Sequence, residues 1–255
     1  MRRLLIGMAL IVAAGISAVA LRSGHHSYRS ADGAALVHFT LHSRLVHADL
    51  YEVLVRPARR GSRTMLVLLH GRGGSPASFL SQQFFDGLAA LGSRAPSVLL
   101  LDGGDHSYWH DRGDGRWGTM VLQEAIPAGL ARTHATRVAI GGISMGGFGA
   151  LDLGARHRFC AVGAHSPALW ASAGATAPGA FDDAADFARH DLVAHPPSYR
   201  SPVWVDVGTD DPFHSADVAF AQKTPGRVTL HVWPGSHDSE YWNRHMAQYL
   251  RFYAD

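Results

Sequence analysis

Short, continuous apolar runs are the feature that most restricts the fold of this chain. They occupy residues 65–69, 98–101, 138–140, 203–205 and 228–232. Continuous apolar runs of this length are typical of strands that are buried on both faces of a sheet. Helical stretches separate several of the runs, at residues 79–91, 119–133, 147–157 and 215–223, and a last one covers 241–252. This alternation predicts an α/β fold with a mostly parallel sheet and helices on both faces.

The start of the predicted domain has a different pattern. Residues 35–41 and 47–55 alternate apolar and polar side chains, which favours an antiparallel pair with one solvated face at the edge of the sheet. The sheet should therefore have about eight strands. Within the second helical stretch, Pro127 should kink or split the helix, because proline lacks the N–H that the helix needs.

The N-terminus has the features of an export signal. Arg2 and Arg3 precede an uncharged, mostly apolar run over residues 4–21, which contains the small-x-small sequence Ala18-Val-Ala20. We expect a signal peptide cleaved after Ala20, with an uncleaved membrane anchor as the alternative, since the run is about as long as the shortest membrane spans. The predicted organisation is an export segment at 1–20, a linker at 21–33 and a catalytic domain at 34–255. The protein should be secreted, periplasmic or held in the cell envelope.

Length and charge exclude some classes of function. A chain of 255 residues with 47% hydrophobic composition can bury one large core. The formal net charge of +2 gives no strong attraction to nucleic acid. Cys160 is the sole cysteine, so no intrachain disulfide can form.

Residues 138–147 carry the main chemical signal. A buried strand runs into Gly142-Ile-Ser144-Met-Gly146, and a helical stretch follows. Gly-x-Ser-x-Gly in this context is the nucleophile elbow, a strained turn that presents a reactive serine above a sheet. The amide of Met145 would then lie at a helix N-terminus, where it can stabilise an oxyanion.

A reactive serine needs a base and an acid that orients the base. Both should follow Ser144 in the order acid, then histidine. Asp211 follows the strand at 203–205 and is preferred to its neighbour Asp210 because it leaves room for the chain to turn back over the sheet edge. His237 follows the last strand in a loop, whereas the rival His245 falls inside the last helix.

The second oxyanion donor should come from the glycine-rich turn at residues 70–74, with the amide of Arg72 as the best candidate. The same turn could cradle a phosphate. However, it lacks the Lys-Ser/Thr ending of a Walker loop, so nucleotide binding is not expected.

Two long insertions, at residues 103–117 and 170–200, interrupt the alternation of strands and helices. Their tryptophans, Trp109, Trp117 and Trp170, are candidates for substrate binding, with loop packing as the alternative. The spacings of His106 with His110 and of His38 with His42 would suit a metal, but no third ligand is evident. We therefore expect neither a metal nor a cofactor.

The chain resembles a group of esterases within the α/β-hydrolase superfamily. The group contains esterase D (S-formylglutathione hydrolase), feruloyl and acetylxylan esterases and the mycolyltransferase antigens. The resemblance is carried by residues 70–74, 142–151, 208–213 and 235–242. It implies a triad of Ser144, Asp211 and His237, without a metal.

The group covers several acyl chemistries, so the resemblance leaves the substrate open. The expected function is hydrolysis of a small-molecule, glycan or lipid ester. An acyltransferase of the cell envelope, with a sugar or lipid hydroxyl as acceptor, is the first alternative. A peptidase of the same fold and a catalytically inactive binding protein are the others.

Overall fold

The structure, a computed structural model, describes residues 33–59, 61–226 and 228–254. The predicted export segment and nearly all of the predicted linker lie outside these residues. The strands of the described part are β1 (Ala35–Ser43), β2 (Ala48–Arg56), β3 (Thr64–Leu69), β4 (Ser97–Leu101), β5 (Asp111–Arg112), β6 (Gly115–Arg116), β7 (Arg137–Ile143), β8 (Val162–His165), β9 (Val203–Gly208) and β10 (Val228–Trp233).

The central sheet has eight strands in the order β1-β2-β4-β3-β7-β8-β9-β10. β1 pairs with β2, and β2 with β4, in antiparallel register, while the other neighbours are parallel. The predicted architecture is confirmed, including its antiparallel edge. β8 was not among the apolar runs recognised in the sequence, because it has four residues and two of them are Gly163 and Ala164.

The helices are α1 (Gln82–Leu91), α2 (Trp117–Met120), α3 (Ile126–Leu130), α4 (Met145–Arg156), α5 (Ala184–Arg189), α6 (His214–Lys223) and α7 (Ser239–Ala254). A π-helical turn, Val121–Ala125, joins α2 to α3, and Pro127 is the second residue of α3. Since Pro127 cannot donate a backbone hydrogen bond, the change of helical type at this point agrees with the predicted interruption.

The sheet separates two apolar cores. Alternate side chains of β3 point to opposite faces, so Met65 and Val67 belong to one core and Leu66 and Leu68 to the other. The first core packs against α4 and α6, and the second packs against α1 and α7. This arrangement places the carboxyl ends of β3, β7 and β9 along one edge of the sheet. In the part of the chain that the structure covers, the helices all fall short of the length and apolar character that a membrane crossing requires.

Glu52 is a buried carboxyl in β2. It is 1% exposed, and its Oε2 accepts a hydrogen bond from the amide of Asp102 at 2.9 Å. Its Oε1 has no partner among the described residues. Burial, together with the nearby charge of Asp102, raises the pKa of Glu52 to about 8. The side chain is therefore protonated in the folded protein at neutral pH.

Replacing Glu52 by glutamine should remove part of the pH dependence of stability. Between pH 4.5 and about 8 the folded state holds a proton that the unfolded state loses, so the wild type loses up to ~1.4 kcal/mol per pH unit across this window. Glu52→Gln should match the wild type near pH 5 and exceed its stability at pH 9. Urea unfolding at pH 5, 7 and 9 measures this. Glu240→Gln, at an exposed carboxylate, is the control, and a difference between Glu52→Gln and wild type that does not change with pH would contradict the assignment.

Candidate active site

Ser144 is the single residue between β7 and α4. Its backbone has φ 57° and ψ −116°, a left-handed conformation that costs energy in a residue other than glycine. The surrounding backbone fixes it: the amide of Ser144 donates to the carbonyl of His165 at 3.0 Å, and its carbonyl accepts from the amide of Ala168 at 3.0 Å. The turn therefore holds the serine hydroxyl in one place at the edge of the sheet.

The two glycines of the elbow are required by close backbone contacts. A Cβ atom on Gly146 would collide with the carbonyl oxygen of Leu69, and one on Gly142 would collide with the backbone of Gly146. In both cases the obstacle is backbone, which cannot rotate away. The sequence pattern Gly-x-Ser-x-Gly is thus explained by the packing of this turn against the end of β3.

Gly146→Ala should destabilise the fold by about 3 kcal/mol or more, because the added methyl group forces β3 and α4 apart. Gly174→Ala is a matched control, since a Cβ atom at Gly174 meets no atom within 4 Å. Urea denaturation of both variants measures the difference. Equal midpoints for the two variants would show that the elbow tolerates a side chain.

Three side chains predicted from the sequence meet at this turn. His237 Nε2 lies 2.8 Å from Ser144 Oγ, and His237 Nδ1 lies 2.8 Å from Asp211 Oδ2. The Asp211 side chain is fully buried, whereas that of His237 is 21% exposed. The imidazole therefore connects a buried carboxylate to a hydroxyl that solvent can approach.

The loop after β9 distinguishes the two candidate aspartates. Asp211 Oδ1 accepts a hydrogen bond from the amide of Phe213 at 2.8 Å, which leaves Oδ2 for His237. Asp210 is exposed, and its amide donates to the carbonyl of Gly235 at 2.9 Å. The structure thus brings Asp211, and not Asp210, to the histidine.

Two aromatic side chains that the sequence did not single out flank the imidazole of His237. Phe213 and Trp242 each make an edge-to-face contact with the ring, with centroids 5.1 Å apart in both cases. The rival His245 lies in α7, where it stacks on Trp233 at 4.0 Å. The position of Phe213 and Trp242 in the sequence does not predict these contacts, because they depend on how two loops pack together.

A buried carboxylate lies behind the elbow. Asp206 Oδ2 is 2.6 Å from Nδ1 of His165, the residue whose carbonyl accepts from Ser144. Asp206 Oδ1 accepts from the hydroxyls of Tyr241 at 3.1 Å and Tyr249 at 2.7 Å. These bonds join β8 and β9 to α7, the helix that begins directly after the His237 loop.

The glycine-rich turn after β3 runs beside the serine. A Cβ atom on Gly71 would lie 3.4 Å from the Cβ of Ser144. The amide of Gly73 donates to the carbonyl of Asp105 at 2.8 Å, and that of Gly74 donates to the carbonyl of Gly71 at 3.0 Å. The amide of Gly74 is therefore engaged within the turn, and that of Gly73 is engaged by the first insertion.

His70 holds this turn in place. Its Nε2 accepts from the amide of Gly103 at 3.0 Å, so its Nδ1 carries the proton and donates to the carbonyl of Gly71 at 2.8 Å. Burial lowers the pKa of His70, which agrees with a neutral ring.

The structure corrects one of the predicted substrate contacts. Trp109 is fully buried, and its indole N–H donates to the carbonyl of His70 at 3.1 Å. The prediction that Trp109 lines a binding site is wrong, because this ring is enclosed by Gly103, Gly149 and His70. Trp117 is half-buried over Gly104. Trp170 is also buried, and it packs edge-to-face on Phe213 at 5.5 Å, so that Phe213 separates it from His237.

The described residues include one cluster that could hold a metal. His110 lies beside Asp186 and His190, and one donor atom of each lies within 4.8 Å of the others. The sequence offered only the pairing of His110 with His106, because the other two residues come from the second insertion.

The fold is that of the α/β hydrolases. Superposition on a ferulic acid esterase gives a TM-score of 0.72 at 22% identity and covers 88% of this chain and 98% of that one. An S-formylglutathione hydrolase from Agrobacterium tumefaciens gives 0.71 at 17% identity, covering 89% and 96%.

The sequence profile of the family described as "Putative esterase" matches residues 61–253, and the chain belongs to this family. The description of this family and the name of a curated relative are both those of esterases. An esterase of Mycobacterium tuberculosis is 32% identical over 122 residues. That match covers 42% of this chain and only 26% of the length of the relative. The fold class and the family predicted from the sequence are both confirmed.

Proposed function

We propose that the protein is a carboxylic ester hydrolase and that it acts through an acyl-enzyme on Ser144. The observation that carries this proposal is the continuous hydrogen-bonded series from Ser144 through His237 to Asp211, with both contacts at 2.8 Å. Nδ1–H of His237 donates to Asp211, so the lone pair of Nε2 accepts the hydroxyl proton of Ser144. Ser144 Oγ attacks the ester carbonyl as His237 takes that proton, and the buried Asp211 carboxylate stabilises the imidazolium.

The oxyanion that forms on the carbonyl oxygen needs donors beside Ser144. We assign this role to the amides of Met145 and Arg72. Met145 is the first residue of α4, where a helix has no internal acceptor for the N–H. In the turn after β3, Gly73 and Gly74 use their amides elsewhere, which leaves that of Arg72 next to Gly71 and the serine.

The second half of the reaction uses the same groups in reverse. As the tetrahedral adduct collapses, the imidazolium of His237 gives its proton to the leaving alcohol. A water molecule then attacks the acyl carbonyl while His237 Nε2 removes one of its protons. The acid is released as the proton returns to Ser144 Oγ, which restores the free enzyme.

Labelling with a fluorophosphonate tests the nucleophile directly. One solved structure of the same fold is a fluorophosphonate-binding serine hydrolase from Staphylococcus aureus, which makes this reagent class a suitable probe. We expect one covalent adduct, located by peptide mass spectrometry at Ser144. An adduct at any other serine, or no adduct in a protein that turns over p-nitrophenyl acetate, would overturn the assignment.

Substrate choice is a separate part of the proposal. Phe213 contacts His237 and packs on Trp170, and a ferulic acid esterase shares the fold. We propose that a small-molecule ester binds against the half-buried ring of Phe213, which the buried Trp170 supports from behind. A comparison of kcat/KM for methyl ferulate and for p-nitrophenyl acetate tests this binding mode. Trp170→Ala should reduce kcat/KM for methyl ferulate, whose acyl group is aromatic, more than kcat/KM for p-nitrophenyl acetate. Equal losses for the two substrates would contradict binding of the acyl group at Phe213.

Acyl transfer is the second candidate, because the acyl-enzyme is common to both reactions. His237 is accessible at the edge of the site, so a hydroxyl of a sugar or lipid could approach the acyl group as water does. Product analysis with and without a glycan acceptor distinguishes the two reactions. Only free acid indicates hydrolysis, and an acylated acceptor indicates transfer.

We further propose that residues 1–20 direct export, by cleavage after Ala20 or as an uncleaved anchor. Expression of the full chain, followed by cell fractionation and intact mass measurement, tests this. A protein with its full mass in the soluble cytosolic fraction would contradict both forms of the proposal.

A further inference from the structure

We propose that the two insertions together form a metal site that takes a divalent transition metal ion such as Zn²⁺. His110 comes from the first insertion, while Asp186 and His190 come from α5 of the second and the residue after it. Their side chains are 0%, 1% and 6% exposed. Two imidazoles and a carboxylate are a donor set that zinc binds in proteins.

The distances are close to those of a coordination sphere. His110 Nε2 lies 3.1 Å from Asp186 Oδ2, and His190 Nε2 lies 3.7 Å from Asp186 Oδ1. Donors bound tetrahedrally at 2.0–2.1 Å from zinc are about 3.4 Å apart. Rotation of the two imidazoles over a short distance would bring all three donors to one ion, with water as the fourth ligand.

A carboxylate behind His190 provides the usual support for a metal-bound histidine. Asp152 Oδ1 lies 3.0 Å from His190 Nδ1, and the Asp152 side chain is 3% exposed. Arg156, which can only donate, lies 2.7 Å from the same Nδ1. When Arg156 turns away, Nδ1 of His190 can donate to Asp152, which leaves Nε2 without a proton and its lone pair toward Asp186. Asp186 is itself oriented by the amide of Asp182, which donates to Oδ2 at 2.9 Å.

Two arginines pair with the two carboxylates of the cluster, so these four charges are balanced before an ion binds. Arg156 lies 2.6 Å from Asp152 Oδ1 and 2.7 Å from His190 Nδ1, and Arg189 lies 3.0 Å from Asp186 Oδ1. The side chain of Arg156 is 48% exposed and that of Arg189 is 63% exposed, so both can turn toward solvent when a cation binds. Two buried acceptor or donor atoms, His110 Nδ1 and Asp152 Oδ2, have no partner among the described residues.

A bound ion would have a structural effect. It would join the first insertion to the second and, through Asp152, to α4, the helix that begins at the nucleophile. The ester chemistry proposed above does not pass through this site. Metal binding can therefore be tested by itself.

The test is titration of the chelator-treated protein with ZnCl₂, followed by calorimetry and thermal unfolding. We expect one ion per chain, a rise in Tm and, with Co²⁺, the visible absorption bands of a tetrahedral complex. His190→Ala should weaken binding at least 100-fold, and Asp152→Asn should weaken it by about 10–100-fold, as is typical for groups that orient a ligand. His134→Ala and His157→Ala, at exposed histidines, are the matched controls and should bind as the wild type does.

Circular dichroism establishes that each variant is folded before titration. If His190→Ala does not fold, Asp152→Asn and the Co²⁺ spectrum of the wild type still decide the question. The proposal is overturned if the wild type binds no zinc, if Asp152→Asn binds as tightly as the wild type, or if an exposed control loses as much affinity as His190→Ala. Esterase activity that persists in metal-free protein leaves the function of Ser144 intact, so the two proposals can fail separately.

Discussion

Replacing Ser144 by alanine should reduce kcat/KM for p-nitrophenyl acetate by about 10⁵–10⁶-fold and abolish fluorophosphonate labelling. The hydroxyl is the one group in the proposed reaction that forms a bond to the acyl carbon, and alanine has no atom that can replace it. The rate that remains should come from the oxyanion donors and from substrate binding. Initial rates with purified protein and gel fluorescence after labelling measure both effects.

The control for this variant is Ser172→Ala. Ser172 is exposed in the second insertion and makes no side-chain capping bond, so its removal should leave rates and labelling unchanged. Circular dichroism and Tm must match the wild type for both proteins. Labelling that persists in folded Ser144→Ala protein would show that another residue is the nucleophile.

Local backbone requirements explain why the elbow could be recognised in the sequence. The glycines at 142 and 146 face backbone atoms so closely that no other residue fits, and the pattern is therefore visible in five consecutive letters. The candidate acid and base could also be predicted from the sequence, because Asp211 and His237 each follow the end of a strand at the same edge of the sheet.

Contacts between loops that are distant in the sequence could not be predicted. The amide of Asp210 donates to the carbonyl of Gly235, and this bond joins the loop that carries Asp211 to the loop that carries His237. Sequence position could favour Asp211 but could not exclude its neighbour. In the same way, His110 and Asp186 are separated by 76 positions, so the cluster between the insertions becomes evident only after both have folded.

For Trp109, the sequence predicted its place on the first insertion correctly but its role in substrate binding wrongly. The sequence placed it on an insertion after a strand, where an aromatic side chain could line a binding site. In the structure its ring fills the space left by Gly103 and Gly149, and its N–H bonds His70. Such packing depends on two glycines that are 46 positions apart in the sequence, and no local pattern indicates it.

Asp211→Asn should reduce kcat by about 10⁴-fold with a small change in KM. The amide N–H of the asparagine can donate to Nδ1 of His237, which would place the imidazole proton on Nε2. A protonated Nε2 cannot accept the hydroxyl proton of Ser144. Asp210→Asn alters the adjacent exposed carboxylate and should keep nearly full activity. Steady-state kinetics of the two variants provide the comparison, with matched Tm values as the check on folding. Similar losses in both, or a larger loss in Asp210→Asn, would mean that the buried carboxylate 2.8 Å from His237 is not the group that orients it.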